Sequence, residues 1–164
     1  SLDWVSRSVR QKAAQIEKTY QALEKKKRRS VEDEEVAQEM GLSLDDYYSR
    51  LNETQGVFFL DIESMRTKFS QVPEEDLFGL IMDEKENHPF HLLSLEELKE
   101  VLSRAIEELA YKEKMVISLY YYEELTLKEI GEVLGYTESR ICQIHTKAIL
   151  KLRSKLKYYM KDFN

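Results

Sequence analysis

The sequence predicts an all-α fold: two small helical domains with helix-turn-helix motifs, joined by a long acidic linker. Three observations carry that expectation. Turn formers are scarce, with five Gly and two Pro in 164 residues, too few for a sheet protein rich in tight turns. Apolar residues recur at spacings of three and four through residues 6–52 and again from residue 94, which is the helical period. Between these stretches, residues 53–93 lose that period, contain Pro73 and Pro89, and gather acids at Glu74-Glu75-Asp76 and Asp83-Glu84.

Residues 1–52 divide into three helices. The first is expected from about Ser6 to Lys27, with Val9, Ala13, Ile16, Tyr20 and Leu23 inward. The run from Lys25 to Arg29 closes it, as suits the negative end of a helix dipole. That run reads equally as a solvated cap or as a DNA-facing patch. Ser30-Val-Glu-Asp33 resembles a capping box for a second helix carrying Val31, Val36, Ala37 and Met40, ended by Gly41. Ser43 caps a short third helix with Leu44, Tyr47, Tyr48 and Leu51. A helix, a Gly turn and a helix give the outline of a helix-turn-helix, or simply of a structural bundle. Residues 53–93 follow as a linker with short apolar anchors, Val57–Leu60 and Leu77–Ile81, and are long for a connection inside one domain.

From residue 94 four more helices are expected. Ser94-Leu-Glu-Glu97 caps one bearing Leu98, Val101, Leu102, Ala105, Ile106 and Leu109. A second spans about Lys112–Tyr121, with Met115, Val116, Leu119 and Tyr120 apolar. The third is Thr126–Leu134, stopped by Gly135, and Thr137 caps the fourth, about Glu138–Met160. Leu127, Ile130 and Leu134 face Ile141, Ile144, Ala148 and Leu152, with Gly131 small where the pair crosses closely. The inside is then filled, and the other side of the fourth helix is expected to be open to a major groove.

That outer side carries Glu138, Ser139, Cys142 and Gln143 at its N-terminal end, where a recognition helix meets base edges. Gln143 suits adenine and Glu138 suits cytosine N4. Arg140, Lys147, Lys151, Arg153, Lys155 and Lys157 supply cations for phosphates, which give affinity without sequence information. A merely solvated basic face is the competing reading. The net charge of −6 hides this division. Residues 53–97 hold eleven acids against three cations, whereas residues 139–161 hold seven cations and no acid.

Other chemistry finds little support. Cys142 is the only cysteine, so an internal disulfide and a multi-cysteine metal site are excluded, and a reducing cytoplasm is the natural setting. His88, His91 and His145 are scattered, and no metal is expected. Neither a phosphate-cradling glycine loop nor a nucleophile–base set is present, so no enzyme is expected. No apolar run approaches a membrane span.

The segment from Leu119 to Gly135 and the run Glu138-Ser-Arg-Ile-Cys-Gln-Ile-His-Thr-Lys-Ala148 resemble region 4.2 of bacterial RNA polymerase sigma factors, especially the flagellar and developmental alternative class. The opening from Leu2 to Ala13 is similar to that class's junction of regions 2.4 and 3. The resemblance implies that residues 1–52 are region 3, beside the −10 element, with Arg7 and Arg10 as DNA contacts and Ser6 and Ser8 as lesser ones. Residues 53–93 become the region 3.2 linker, which in the family threads into the polymerase. Residues 94–164 become region 4, reading the −35 element. Many relatives carry proline at the position of Ser6, and housekeeping relatives carry cations at those of Glu138 and Cys142, which implies a different −35 preference.

The implied partners are core RNA polymerase (β-flap and β′), promoter DNA and an anti-sigma factor, with no membrane. No cofactor is implied, although the developmental branch uses a cyclic dinucleotide at an anti-sigma interface, which no residue here predicts. Region 2 is almost wholly missing, so a fragment is expected. A stand-alone helix-turn-helix regulator is the alternative. A linker of this length permits open and compact arrangements, and a compact one could hide the reading helix.

Overall fold

The computed structural model describes residues 6–58 and 95–161, and among them the regular elements are all helices. The opening match at Leu2–Val5, His88, His91, the Ser94 cap and nearly all of the expected linker lie outside the described residues. The first described stretch supplies α1 (Arg7–Lys27), α2 (Asp33–Glu39) and α3 (Leu44–Phe58). They are followed by α4 (Leu95–Glu107), α5 (Tyr111–Ile117), α6 (Leu127–Leu134) and α7 (Glu138–Lys161).

Side-chain caps start several of these helices. The Ser6 hydroxyl accepts from the Val9 N–H at 3.2 Å and opens α1, satisfying one donor that a helix start leaves orphaned. Asp46 N–H donates to Ser43 Oγ at 3.1 Å ahead of α3. At α2 the expected box is displaced by two residues. Glu32 is the cap and Glu35 answers it, receiving the Glu32 N–H at 2.8 Å. Val31 and Val36, both buried, occupy the positions of a hydrophobic staple across that start. Gly41 ends α2 with φ +71°.

Helix α1 buries Ala13, Ile16, Tyr20 and Leu23. Opposite them α3 buries Tyr47, Leu51, Thr54 and Phe58, spaced 4, 3 and 4. That row explains why α3 overruns its expected end: Phe58, read as a linker anchor, is fully buried as the last turn of the helix. Each such side chain contributes about 1.5–3 kcal/mol, which outweighs weak local propensity. Tyr20 and Tyr47 are deep enough that burial raises both phenols well above their usual range.

The second departure is at α5. The α-helix stops at Ile117 and continues as a π-helical turn, Ser118–Tyr122. The wider turn leaves Leu119, Tyr120 and Tyr121 all half-buried, and Leu119 and Tyr120 pack against the buried cluster Val116, Ile130, Ile141 and Ile144.

The chain forms two compact units. Among the described residues, one comprises residues 6–58 with 111–151, and the other residues 95–110 with 152–161. In the second unit Val101, Ala105, Leu109, Leu152 and Leu156 are buried, and Lys155 pairs with Glu108.

Candidate nucleic-acid interface

The helix-turn-helix is built from local signals that agree. Thr126 and Glu129 close a capping box at α6, each accepting the other's backbone N–H at 3.1 Å. Those bonds to Thr126 hold the Glu129 carboxyl below its ordinary value. Gly135 ends α6 with φ +77°, the left-handed conformation glycine adopts most easily. Arg140 N–H donates to Thr137 Oγ1 at 3.1 Å and starts α7. Gly131 is indeed a close approach, although its neighbour is the turn rather than α7. A Cβ there would lie 2.5 Å from the Tyr136 carbonyl oxygen, and that carbonyl's own residue donates its N–H to Gly131 O at 2.9 Å.

Helix α7 turns Ile141, Ile144, Ala148 and Leu152 inward, and all four are buried. At its N-terminal end Glu138 and Ser139 are exposed and Gln143 is half-exposed. The Gln143 amide oxygen accepts from Arg140 Nη1 at 3.2 Å.

The remainder of the outer side is not open, which corrects the sequence expectation. Cys142 is only 5% exposed, and between Ile141 and Lys151 only Gln143 and Lys147 keep partial exposure. The cover is α3. Its Asn52 amide donates to Ser139 Oγ at 3.2 Å, and the Cys142 thiol donates to Gln55 Oε1 at 2.8 Å. Tyr48 donates to Asp33 at 2.9 Å and also meets the Arg140 side chain. Lys147 reaches Glu32, in front of α2, at 3.2 Å. Burial, helped by the nearby Glu138 charge, pushes the Cys142 thiol up to about 11.

Sequence reasoning missed these α3 residues. Their signal was present: Tyr48, Asn52 and Gln55, spaced 4 and 3, form one polar helix face beside the apolar row at 47, 51, 54 and 58.

The expected phosphate contacts are placed unequally. Arg140, Lys147 and Arg153 are half-buried. Lys151, expected on a wet face, is buried and donates to Glu113 Oε1 of α5 at 2.6 Å. His145, which read as merely scattered, is fully buried, with Nε2 2.6 Å from the Tyr121 hydroxyl. The candidates beside the −10 element divide similarly. Ser6 is committed to its cap, while Arg7, Ser8 and Arg10 are exposed on the first turn of α1.

Comparison with known proteins places this architecture. The family profile of sigma-70 region 3 matches residues 11–77 and that of sigma-70 region 4 matches residues 105–154. Over 156 residues the chain is 40% identical to RNA polymerase sigma factor FliA of Pseudomonas aeruginosa, covering 94% of this chain and 60% of that protein. It is 39% identical over 155 residues to the RNA polymerase sigma-D factor of Bacillus subtilis, covering 94% and 60%. With FliA of Escherichia coli it shares 37% over 157 residues, covering 95% and 64%. The crystallised flagellar complex of sigma-28 with FlgM aligns at 32% identity over 96% of this chain and 64% of that one, with a TM-score of 0.47. The chain thus spans about three fifths of the length of the curated relatives it matches. Two adjacent regions of one family, matched in order along the chain, identify it as a member of the sigma-70 family that carries regions 3 and 4.

Proposed function

We propose that the chain helps direct core RNA polymerase to promoters as part of an alternative sigma factor of the flagellar and developmental class. In this reading α7 enters the major groove of the −35 element, with Glu138, Ser139, Cys142 and Gln143 at base edges and Arg140, Lys147 and Arg153 near phosphates. Arg7, Ser8 and Arg10 of α1 lie beside the −10 element. The supporting observation is the helix-turn-helix of α6 and α7. Its apolar stripe is inward and its short polar residues cluster at the N-terminal end of the second helix, where a recognition helix reads bases. The role is one of delivery rather than catalysis. Core polymerase and an anti-sigma factor are the proposed protein partners, and the cytoplasm is the proposed setting. Among the described residues no helix is long and apolar enough to cross a membrane.

The arrangement of α3 over α7 adds a condition: the two must part before Cys142 can face a base. The contacts at that seam are individually weak. A hydrogen bond contributes about 0.5–1.5 kcal/mol and a surface ion pair such as Lys147–Glu32 about 0–1 kcal/mol. Docking on polymerase or DNA therefore has a small barrier to overcome.

Sequence selection tests the proposal. A duplex pool randomised across the −35 window is equilibrated with the chain and core polymerase, and the retained DNA is sequenced. A defined motif should be enriched, and Gln143→Ala should flatten one position of it by roughly 1–3 kcal/mol. No enrichment with polymerase present would refute the reading. Tight, specific enrichment by the free chain would favour the stand-alone regulator instead.

A further inference from the structure

The outward face of α1 carries a feature that base reading near the −10 element does not use. The helix buries Ala13, Ile16, Tyr20 and Leu23 on one side. On the opposite side Arg7, Lys18 and Lys25 are exposed. Arg7 and Lys25 are five full turns apart and share a direction. Exposed Gln11, Ala14 and Ala22, all neutral, fill that side between them. The only acids of the helix, Glu17 and Glu24, are half-buried on its flank. The outward face is therefore a basic stripe free of acid along its whole length, about 27 Å from Arg7 to Lys25. That length matches roughly eight base pairs of duplex at about 3.4 Å each.

The far end of the stripe has been left bare of counter-charge. Glu35 takes two of the five consecutive cations, Lys27 at 2.5 Å and Arg29 at 2.6 Å. Among the described residues, Lys25, Lys26 and Arg28 have no acidic partner. Arg28 also holds a left-handed backbone, φ 56°, at a helix end where glycine is the usual residue. A side chain at that position carries a backbone strain that glycine would not. Compensation of the helix dipole explains cations in the last turn, but it explains neither Lys18 at mid-helix nor an arginine kept in a left-handed conformation.

We infer that the exposed face of α1, from Arg7 to Arg28, is a sequence-independent phosphate-binding surface for duplex DNA, extending well beyond the first turn that lies beside the −10 element. It deepens the promoter reading and rests on it only in expecting duplex alongside α1. The small neutral residues between the cations let a phosphate backbone approach closely. Spaced point charges without a fork of donors from several elements suit a phosphate row rather than one bound anion.

The test is fluorescence anisotropy of a labelled random-sequence duplex with the full 164-residue chain, titrated between roughly 50 and 200 mM salt. The variants are Lys18→Gln and Lys18→Gln/Lys25→Gln. Lys99→Gln on α4, also exposed, serves as the control. Each phosphate contact removed should lower the steepness of log K against log salt by about 0.9, so about 1.8 for the double variant, with the control unchanged. Circular dichroism checks that the helices persist. An unchanged slope in both stripe variants overturns the inference, and so does an equal loss with Lys99→Gln. If the stripe variants instead lose retention on immobilised core polymerase while the DNA slope holds, the surface belongs to an acidic protein and the inference falls. An unchanged slope together with a −35 motif still enriched in the pool would sink the stripe alone. A reduced slope without any motif would sink the promoter reading alone.

Discussion

The cover of α3 on α7 should be measurable through one sulfur atom. Cys142 is the only thiol of the chain, so a thiol reagent reports on the seam without interference. Burial raises the thiol from an ordinary 9.0 to about 11. At pH 8 the thiolate, which is the reacting form, is then roughly a hundredfold scarcer than in an exposed cysteine. Asn52→Ala/Gln55→Ala removes the two amides that meet Ser139 and Cys142, and the rate of reaction with an aromatic disulfide reagent at pH 8 should rise by up to about a hundredfold. The denatured chain supplies the unprotected rate. The pH profile separates the causes: the native rate should keep climbing to about pH 11, while that of the variant levels off near 9. The sign of the linkage follows. The neutral thiol is favoured in the closed arrangement, so its contribution is complete below pH 9 and is lost as pH rises toward 11. A native rate within threefold of the denatured chain, or a variant no faster than the parent, would refute the cover.

Two substitutions test how α7 is held. Gly131→Ala places a methyl group 2.5 Å from the Tyr136 carbonyl, which the rigid turn cannot yield to; urea denaturation should show a loss of about 1–3 kcal/mol, as overpacking does. Lys151→Met should cost about 3–5 kcal/mol by stranding the buried Glu113 carboxylate, and Glu113→Leu added to it should recover most of the loss. If Lys151→Met leaves the denaturation midpoint unchanged and flattens only the salt dependence of DNA binding, Lys151 acts on phosphates and not on the fold.

What the sequence made legible were features fixed within one turn of chain. The inward rows of α1 and α7, the Thr126 and Thr137 caps, and the stops at Gly41 and Gly135 all follow from periodicity or from a single residue's backbone preference. Features set by partners distant in sequence were not legible. Phe58 is a core residue because distant parts of the chain cover its face of α3, and without that cover Val57-Phe58-Phe59-Leu60 reads as an anchor in a linker. The π turn at Ser118–Tyr122 accommodates three consecutive large side chains, which no local rule announces. Glu32 caps α2 although glutamate is not a favoured cap, because Glu35 answers it and Lys27 and Arg29 hold Glu35 in place. At the candidate site the short polar residues at the start of α7 were legible as a patch. Its cover was not, because polar faces on two helices do not reveal that they meet.

The cover and the proposed target ask the same thing of α7. A base edge in the major groove offers a carbonyl or ring-nitrogen acceptor and an amino donor within one small planar group. The amides of Asn52 and Gln55 offer the same pair, and each already uses one half of it, the donor toward Ser139 and the acceptor toward Cys142. Glu32 likewise presents an anion to Lys147, the same charge that a phosphate of the proposed target would bring. Short polar side chains of the kind the proposed groove contact calls for are therefore also ones that an amide-bearing helix face can satisfy. A substitution at Ser139 or Cys142 acts on both equilibria at once. Replacing Cys142 by a long cation would favour phosphates and also force α3 away, so its effect on DNA affinity combines a new contact with a weakened competitor. Affinity alone cannot divide the two contributions. Pairing each α7 variant with Asn52→Ala/Gln55→Ala removes the competitor, and the difference between the paired measurements isolates the part that belongs to the DNA.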